Sequence, residues 1–242
     1  MIDLSGKVAL VTGGSKNIGK AIAITLAQAS AKVIITYNQD EESAQHTLMQ
    51  HDNIIAMTQW DVTNPNWDGL KGIVYDFGGL DILVCNAGIN IPAPFNEIDF
   101  MDWQAVLDVN LTGQFKTVRA LLPLVHDGGS VVFIGSVSGH IGGKVSSHYC
   151  VSKAGVSALA ANVGLFAAPR GIRVNCVAPG YVRSPLTDKG AENQIVRDTI
   201  KSIPMGRLAE PDEIASVVLF MVSDLATYIT AQTIHVNGGL YF

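Results

Sequence analysis

Tyr149 and Lys153 stand four residues apart at the start of an apolar run that is typical of a helix. Residues at i and i+4 share one face of a helix, so the Lys153 ammonium can lie near the Tyr149 phenol. A phenol has an ordinary pKa of about 10, and a nearby cation lowers it. The pair can therefore act as a general acid and base towards a substrate oxygen. A packed tyrosine beside a solvated lysine has the same spacing, so this hypothesis needs support from the rest of the chain.

A glycine-rich turn follows the first predicted strand. Residues 7–12 form a short, nearly continuous apolar run, as in strands that are buried on both faces of a parallel sheet. Gly13, Gly14 and Gly19 punctuate the next segment, which leads into a predicted helix at 20–29. A strand, a glycine-rich turn and a helix N-terminus together offer backbone N–H groups to a phosphate. We therefore predict phosphate binding at this turn.

Strands and helices alternate along the chain. The patterns predict further strands at 32–37, 53–59, 80–85, 130–134, 173–178 and 233–236. They predict further helices at 40–50, 67–77, 101–122, 149–168, 191–202 and 211–222. This alternation indicates an α/β fold with a parallel sheet covered by helices on both faces. About seven strands and the glycine-rich turn favour a doubly wound, Rossmann-type sheet over an eight-unit barrel. We expect a single domain over 1–242, with a substrate loop at about 181–206.

Composition limits the class of protein. The chain has 242 residues, 48% of them hydrophobic and 15% charged, which suits a domain with a large core. Its net charge of −5 gives no reason to expect nucleic-acid binding. No apolar run reaches about 18 residues and no signal segment is evident, so we expect a cytoplasmic protein without a membrane partner. The three cysteines are expected to be reduced thiols, and no Cys/His spacing predicts a metal site.

These motifs resemble those of the short-chain dehydrogenase/reductase family over nearly the whole chain. Thr12-Gly13-x-x-x-Asn17-x-Gly19 is similar to the family's cofactor loop, Thr-Gly-x-x-x-Gly-x-Gly, with Asn in place of the middle Gly. Asn is the residue other than Gly that best tolerates left-handed backbone, so we expect the turn to survive. Cys85-Asn86-Ala87-Gly88 is similar to the family's Asn-Asn-Ala-Gly. The closest resemblance is to bacterial 3-oxoacyl-[acyl-carrier-protein] reductases and related sugar and alcohol dehydrogenases.

The resemblance implies a catalytic set of Asn110, Ser136, Tyr149 and Lys153. In this set Tyr149 exchanges a proton with the substrate oxygen, and Ser136 hydrogen-bonds the same oxygen. Lys153 lowers the pKa of Tyr149 and holds the cofactor ribose, while Asn110 positions Lys153 through water. The hydride itself comes from a nicotinamide cofactor.

The resemblance also implies a cofactor site at the carboxyl ends of the strands. The expected contacts are Gly13, Ser15, Lys16, Asn17, Ile18, Gly19, Tyr37, Asn38, Asp61, Val62, Asn86, Ala87, Gly88, Tyr149, Lys153, Pro179, Gly180 and Val182. Lys16 and the lack of a carboxylate at 35–38 favour NADP(H) over NAD(H). The reason is that a cation binds a 2′-phosphate, whereas an acid accepts from a 2′-hydroxyl. The alternative is an acid supplied by Asp40 or Glu41.

We therefore predict an NADP(H)-dependent oxidoreductase that transfers hydride between nicotinamide and a carbonyl or secondary alcohol. A small-molecule or acyl-carrier-bound 3-oxoacyl substrate is favoured, and a sugar or small-alcohol dehydrogenase is the alternative. Of other classes, a non-catalytic nucleotide sensor and a scaffold subunit remain. The segments expected to face substrate, 89–95, 139–147 and 181–206, form no recognisable code. Their cations include Lys144, Arg183 and Lys189.

The resemblance further implies a homotetramer. The helices at 101–122 and 149–168 are expected to pair across one interface, with the apolar end at 240–242 near another two-fold axis. An exposed Tyr-Phe end would otherwise leave apolar surface uncovered.

Overall fold

One parallel sheet of seven strands forms the centre of the protein. The computed structural model describes residues 2–143, 145–184 and 194–242. The strands are β1 Val8–Val11, β2 Lys32–Tyr37, β3 Ile54–Gln59, β4 Leu80–Cys85, β5 Val125–Ile134, β6 Arg173–Pro179 and β7 Thr233–Val236. Their order is β3-β2-β1-β4-β5-β6-β7, and every neighbouring pair is parallel. This is the doubly wound order, which confirms the predicted fold class.

Helices cover the sheet. They are α1 Asn17–Gln28, α2 Glu41–Leu48, α3 Trp67–Asp76, α4 Phe100–Leu107, α5 Gln114–Leu121, α6 Ser138–Ile141, α7 Ser147–Ala167, α8 Gln194–Ser202 and α9 Pro211–Val222. Short 3-10 turns occupy Phe95–Glu97, Leu122–Leu124, Ala168–Arg170 and Asp224–Ala226. A π-helical turn, Asp108–Gly113, joins α4 to α5.

The two faces of the sheet have separate hydrophobic cores. Ala9 and Val11 of β1 point into a core with the buried residues of α1 and α9, while Val8 and Leu10 point into the other. That second core is closed by buried residues of α3, α5 and α7. Successive side chains of a strand point to opposite faces, so a strand between two cores must be apolar at every position. This explains the continuous apolar runs in the sequence.

Two elements differ from their predicted bounds. β5 begins at Val125 rather than at residue 130, because Leu80 pairs with Val125 and Ile82 with Ser130 while residues 126–129 bulge out of the ladder. The bulge contains Asp127 and two glycines, which have low strand propensity and hid the start of the strand. Residues 191–193 of the predicted helix at 191–202 lie outside the described residues.

The predicted long helix at 101–122 is interrupted. The π-helical turn Asp108–Gly113 separates α4 from α5 and contains the buried Asn110. π-Turns inside helices are rare and frequently occur at functional sites. The apolar spacing of the sequence did not reveal the interruption, because one extra residue in a helical turn shifts the pattern only slightly.

The turn after β1 has the backbone that its sequence requires. Asn17 has φ +50° and Gly13 φ +63°, so Asn17 does adopt the left-handed conformation expected of it. A Cβ at Gly19 would overlap the carbonyl oxygen of Gly13. Glycine is therefore required at position 19 for lack of space, whereas at position 13 it is also favoured by backbone conformation.

The segment Ser147–Arg170 is long and apolar enough to cross a membrane by length and hydropathy alone, with a mean hydropathy of 1.4. Of the 18-residue stretch that has this hydropathy, 44% is buried inside the protein, and a core helix of a soluble protein passes the same test. The segment is α7 and its C-terminal turn, and its inward face carries Lys153, Val156 and Ala160. The segment is not an uninterrupted apolar run, because polar and charged residues such as Lys153 stand within it. For this reason it does not meet the criterion used for the sequence.

Gly19 and Gly72 offer a matched test of the lack of space for a side chain at position 19. Gly19→Ala should lower the free energy of unfolding by several kcal/mol or prevent folding, because the new methyl group meets backbone that cannot move aside. Gly72 lies in α3, and a Cβ there would meet nothing within 4 Å. Gly72→Ala should therefore be neutral or stabilising by about 0.5–1 kcal/mol. Urea unfolding of both variants measures the difference, and equal stabilities would contradict the steric account.

Candidate active site

A cleft of about 1040 Å³ opens at the carboxyl edge of the sheet. It lies where the strand order reverses, between β1 and β4, which is the usual ligand site of doubly wound sheets. Its walls come from the turn after β1, the ends of β2, β3 and β4, the loop after β5, and α7. The cleft continues to the segment after β6, at Pro179 and Gly180.

Every predicted cofactor contact lines this cleft, as do Ser136, Tyr149 and Lys153 of the predicted catalytic set. Asn110 does not line it; this residue is fully buried behind the wall. The cleft has further lining residues outside the predicted set: Thr36, Gln39, Asp40, Glu41, Glu42, Trp60, Ile89, Asn90, Val109, Ile134 and Gly135. Most of them flank a predicted residue in sequence, which is the signal that could have found them.

The glycine-rich turn is held in place by Asn86 and Thr12. The Asn86 side-chain amide donates to the carbonyl oxygens of Thr12 and Gly13, at 2.9 and 3.0 Å. In return the Thr12 hydroxyl accepts from the backbone N–H groups of Asn86 and Ala87, at 2.9 and 3.1 Å. Asn86 therefore positions the turn after β1 from the end of β4. This explains a polar residue at the end of a fully buried strand.

Tyr149 lies in the first turns of α7, opposite Ser136 in the loop after β5. That loop continues the sheet ladder, since Gly135 and Val137 donate to the carbonyls of Val177 and Pro179. Burial raises the pKa of Tyr149, and the hydrogen bond with Ser136 acts in the opposite direction. Ser136 is thus the group that favours the charged form of the phenol.

Lys153 is almost fully buried on the same face of α7. Its Nζ donates to the Ile134 carbonyl oxygen at 2.8 Å and lies 5.7 Å from the centre of the Tyr149 ring. Burial lowers the pKa of Lys153 to about 8, since a charged amine is poorly solvated there. Burial is the largest influence on the pKa of both groups, and the Lys153 ammonium bonds the Ile134 carbonyl oxygen beside the Tyr149 ring. The role of Lys153 in lowering the pKa of Tyr149 stays a prediction.

Asn110 holds the wall of the site together. Its Oδ1 accepts from the N–H of Ile89 at 2.8 Å, and its Nδ2 donates to the Ile89 carbonyl at 2.9 Å and to Ser152 Oγ at 3.1 Å. Ser152 in turn donates to the Tyr149 carbonyl at 2.8 Å. Asn110 thus connects the segment after β4 to the helix that carries Tyr149 and Lys153. Sequence reasoning missed Ser152, although it immediately precedes Lys153.

Gly88 separates Asn110 from Lys153. A Cβ at Gly88 would lie 3.2 Å from Asn110 Oδ1 and 3.5 Å from Lys153 Nζ. Any larger residue there would occupy the space between the amide and the ammonium. The two polar groups therefore face one common space, as a positioning role of Asn110 towards Lys153 requires.

Asp61 and Trp60 form the wall at the end of β3. The Asp61 carboxylate accepts from the Thr63 N–H and hydroxyl at 2.8 and 2.7 Å. Partial burial opposes the charge of Asp61, but hydrogen bonds from Thr63 and Asn64 outweigh it and lower the pKa. Trp60 packs edge-on against Trp67, and its buried Nε1 has no hydrogen-bond partner among the described residues. The sequence analysis did not single out Trp60, which directly follows the predicted strand at 53–59.

The end of β2 is closed by two polar pairs. Burial raises the pKa of Tyr37, and Glu41, which is hydrogen-bonded to it, adds to this effect. Lys16 Nζ lies 2.7 Å from Asp40 Oδ2. This contact lowers the pKa of Asp40 to about 2, with help from Ser43. Lys16 is therefore paired with one of the acids left open by the sequence.

The structure describes only part of the segments that are expected to face substrate. Arg183 forms an ion pair with Glu210 at 2.8 Å, and Val182 pairs with Ala209 in an isolated bridge. Lys144, Lys189 and residues 185–193 of the predicted substrate loop lie outside the described residues. Among the lining residues given above, Ile89 and Asn90 come from the segment expected to face substrate.

The cleft fits a dinucleotide. The turn at 13–19 leaves no room for a side chain at Gly19, and a Cβ at Gly13 would lie 3.1 Å from Ala87 Cα. The closely packed turn thus brings the N-terminus of α1, a helix of 12 residues, to the wall of the cleft, where phosphate groups bind favourably. The cleft runs from there to Tyr149 and Lys153 in one direction and to Trp60 and Asp61 in the other.

Comparison with known proteins decides the family. Residues 13–241 match the enoyl-(acyl carrier protein) reductase family profile. The chain is 40% identical over 244 residues to the 3-oxoacyl-[acyl-carrier-protein] reductase FabG of Vibrio cholerae, covering 99% of each chain. It is 37% identical over 240 residues to an acetoacetyl-CoA reductase of Shinella zoogloeoides, covering 98% of this chain and 99% of the relative. The chain belongs to the short-chain dehydrogenase/reductase family.

A solved member of the family has the same fold. The crystal structure of a short chain dehydrogenase from Burkholderia cenocepacia in complex with NADP superimposes with a TM-score of 0.92 at 30% identity, covering 98% of both chains. As a short-chain dehydrogenase/reductase, the protein is an oxidoreductase of the class that acts on carbonyl and hydroxyl groups.

Burial of Lys153 in this short-chain dehydrogenase/reductase predicts a pH-dependent stability. The pKa of Lys153 is about 8 when folded, against 10.5 for an ordinary lysine. Between these values the unfolded chain binds more protons, so Lys153 makes the free energy of unfolding rise with pH, by at most about 1.4 kcal/mol per unit. Lys153→Met should lack this contribution.

The measurement is urea unfolding of the cofactor-free protein between about pH 8 and pH 10. The stability of wild type relative to Lys153→Met should increase with pH. Parallel profiles of the two proteins would show that Lys153 is not held in a poorly solvated site.

Proposed function

We propose that the protein is an NADP(H)-dependent ketoreductase that reduces a 3-oxoacyl thioester to the 3-hydroxyacyl product. The observation that carries this proposal is the convergence of Ser136, Tyr149 and Lys153 on one wall of a dinucleotide-sized cleft. The relatives named 3-oxoacyl-[acyl-carrier-protein] reductase and acetoacetyl-CoA reductase support the substrate class. Both act on a 3-oxoacyl group, so this is the substrate that we assign.

Tyr149 is the proton donor in this proposal. Its phenol gives a proton to the carbonyl oxygen of the substrate, and takes it back from the alcohol in the reverse direction. The Ser136 hydroxyl hydrogen-bonds the same oxygen and stabilises the charge that develops there. The bound nicotinamide supplies the hydride. Burial keeps Tyr149 protonated until a substrate oxygen receives the proton, which suits a general acid.

Lys153 and Asn110 have supporting roles in the proposal. Lys153, anchored on the Ile134 carbonyl, would hold the ribose of the cofactor and supply positive charge beside the phenol. Asn110 is a positioning residue, because its side chain connects Ile89 and Ser152 behind the wall. Its position in a π-helical turn points the amide away from its own helix.

The preference for NADP(H) is supported by charge and by likeness. Lys16 lies in the phosphate turn, and residues 35–38 contain no carboxylate. The Burkholderia relative binds NADP. Lys16 would hold the 2′-phosphate, with the Thr36–Asn38 backbone leaving room beside it. The other cofactor contacts are those of the predicted set that line the cleft.

We further propose that residues 1–242 act as one cofactor-binding domain in the cytoplasm. The single sheet includes strands from residue 8 to residue 236, which supports one domain. The segment at about 181–206 is assigned to substrate binding because it follows Gly180 directly and its own Val182 lines the cleft.

Removal of one oxygen tests the catalytic proposal. Tyr149→Phe takes away the transferable proton and keeps the ring, so kcat should fall by at least about 10²-fold with NADPH affinity nearly intact. The assay is NADPH oxidation with acetoacetyl-CoA as the substrate. A sugar and a small diketone are tested separately as alternative substrates. Tyr75→Phe, an exposed position on α3, is the matched control. Wild-type activity in Tyr149→Phe would contradict the role of Tyr149, and wild-type protein inactive on every carbonyl would favour a nucleotide sensor.

We further propose a homotetramer, as the resemblance implies. Exposed apolar residues on α4 and α7 support an interface there, since Met101 is 80% exposed and Phe166 75% exposed. Light scattering of wild type at micromolar concentration should give about four times the mass of the chain. Phe166→Glu should lower that mass, whereas Tyr75→Glu, at another exposed aromatic on α3, should not. A monomeric wild type would contradict this assembly.

A further inference from the structure

Acidic residues lie close to the lysine that is proposed to bind a 2′-phosphate. Asp40, Glu41 and Glu42 line the same cleft as Lys16. One of them, Asp40, is in direct contact with the Lys16 ammonium at 2.7 Å. A phosphate entering this end of the cleft would therefore meet a lysine that already has an anionic partner.

Asp40 is fixed by contacts that do not involve Lys16. It is the N-cap of α2, and its Oδ1 accepts from the Ser43 N–H at 2.9 Å. Its Oδ2 accepts from the Ser43 hydroxyl at 2.8 Å. Lys16 is the partner that can move more easily, because its side chain is 58% exposed and its ammonium lies at the end of a flexible four-carbon chain. When a competing anion binds, Asp40 stays in place and Lys16 can move.

We propose that Asp40 is a specificity-determining residue, because it competes with the 2′-phosphate of NADP(H) for the Lys16 ammonium. The inference rests on the proposed function, in which Lys16 is the 2′-phosphate ligand. With NAD(H) the Lys16–Asp40 pair persists. With NADP(H) Lys16 leaves Asp40 for the phosphate, and the remaining carboxylate repels it. Asp40 thus makes the preference for NADP(H) smaller than Lys16 alone would give.

Asp40→Asn isolates this effect. Asn keeps the oxygen that caps α2, and Asp and Asn are equally good N-caps, so the helix should be retained. The variant weakens the competitor and removes its charge. We expect NADPH to bind about three- to tenfold more tightly, because an exposed ion pair is a weak competitor and a dianion gains from losing a nearby carboxylate. NADH affinity should stay within about twofold, since NADH has no 2′-phosphate.

Glu42→Gln is the matched control. Glu42 lines the same end of the cleft, but within the described residues Lys16 bonds to Asp40 and not to Glu42. This variant removes one negative charge without freeing the lysine, so NADPH affinity should rise less than in Asp40→Asn. In a Lys16→Ala background the gain from Asp40→Asn should shrink to the size of the Glu42→Gln gain. Asp40→Ser, a second capping residue, replaces Asp40→Asn if that variant unfolds.

The measurement is a calorimetric titration of NADPH and NADH into wild type and each variant. An unchanged or weaker NADPH affinity in Asp40→Asn would overturn the inference, as would an equal gain for NADH or an equal gain in Glu42→Gln. Lys16→Ala distinguishes the proposed phosphate role of Lys16 from the competition by Asp40. If it leaves NADPH affinity unchanged, the proposed phosphate role of Lys16 is wrong; if it weakens NADPH while Asp40→Asn gains nothing, only the competition by Asp40 is wrong.

Discussion

The hydrogen bonds between Asn86 and the turn after β1 are the constraint on which the rest of the site depends. Parallel strands β1 and β4 are neighbours, but their following segments leave in opposite directions, which opens the cleft. Asn86 spans this opening by donating to the carbonyls of Thr12 and Gly13. Buried backbone carbonyls need partners, and here no strand supplies them. One side chain thus fixes the turn after β1 relative to the wall that carries Ser136, Tyr149 and Lys153.

Burial has a second effect, on the charges of the catalytic wall. It raises the pKa of Tyr149 and lowers that of Lys153, so both groups are driven towards their neutral forms in the cofactor-free protein. The i, i+4 spacing places the Lys153 ammonium beside the Tyr149 ring, where it bonds the Ile134 carbonyl oxygen, and its effect on the pKa of Tyr149 stays a prediction. The group that opposes the rise in the tyrosine pKa is Ser136. Positioning by α7 therefore matters as much as charge.

The sequence was sufficient for the fold, which follows from short-range patterns, and the resemblance to the family supplied the predicted residues that line the cleft. The buried strands read as apolar runs, and the turn at Gly13 and Asn17 was predicted with its left-handed backbone. The π-helical turn Asp108–Gly113 and the Asn110–Ser152 bond were not predictable in this way. They depend on how two helices meet behind the wall. The Lys16–Asp40 contact joins residues 24 apart, and its formation depends on side-chain conformations that no spacing rule specifies.

The two ends of the cleft therefore differ in how strongly each polar group depends on its neighbours. At the catalytic wall the polar groups are buried and bonded, so loss of one partner would leave another unsatisfied, which is costly. At the end of β2 the charged groups are exposed, and exposed pairs contribute little to stability. Single charge changes at Lys16 or Asp40 can therefore alter cofactor preference without disturbing the fold, whereas changes at Asn110 or Lys153 alter the packing on which the chemistry depends. Substrate reduction and cofactor choice are thus carried by one cleft but can vary independently.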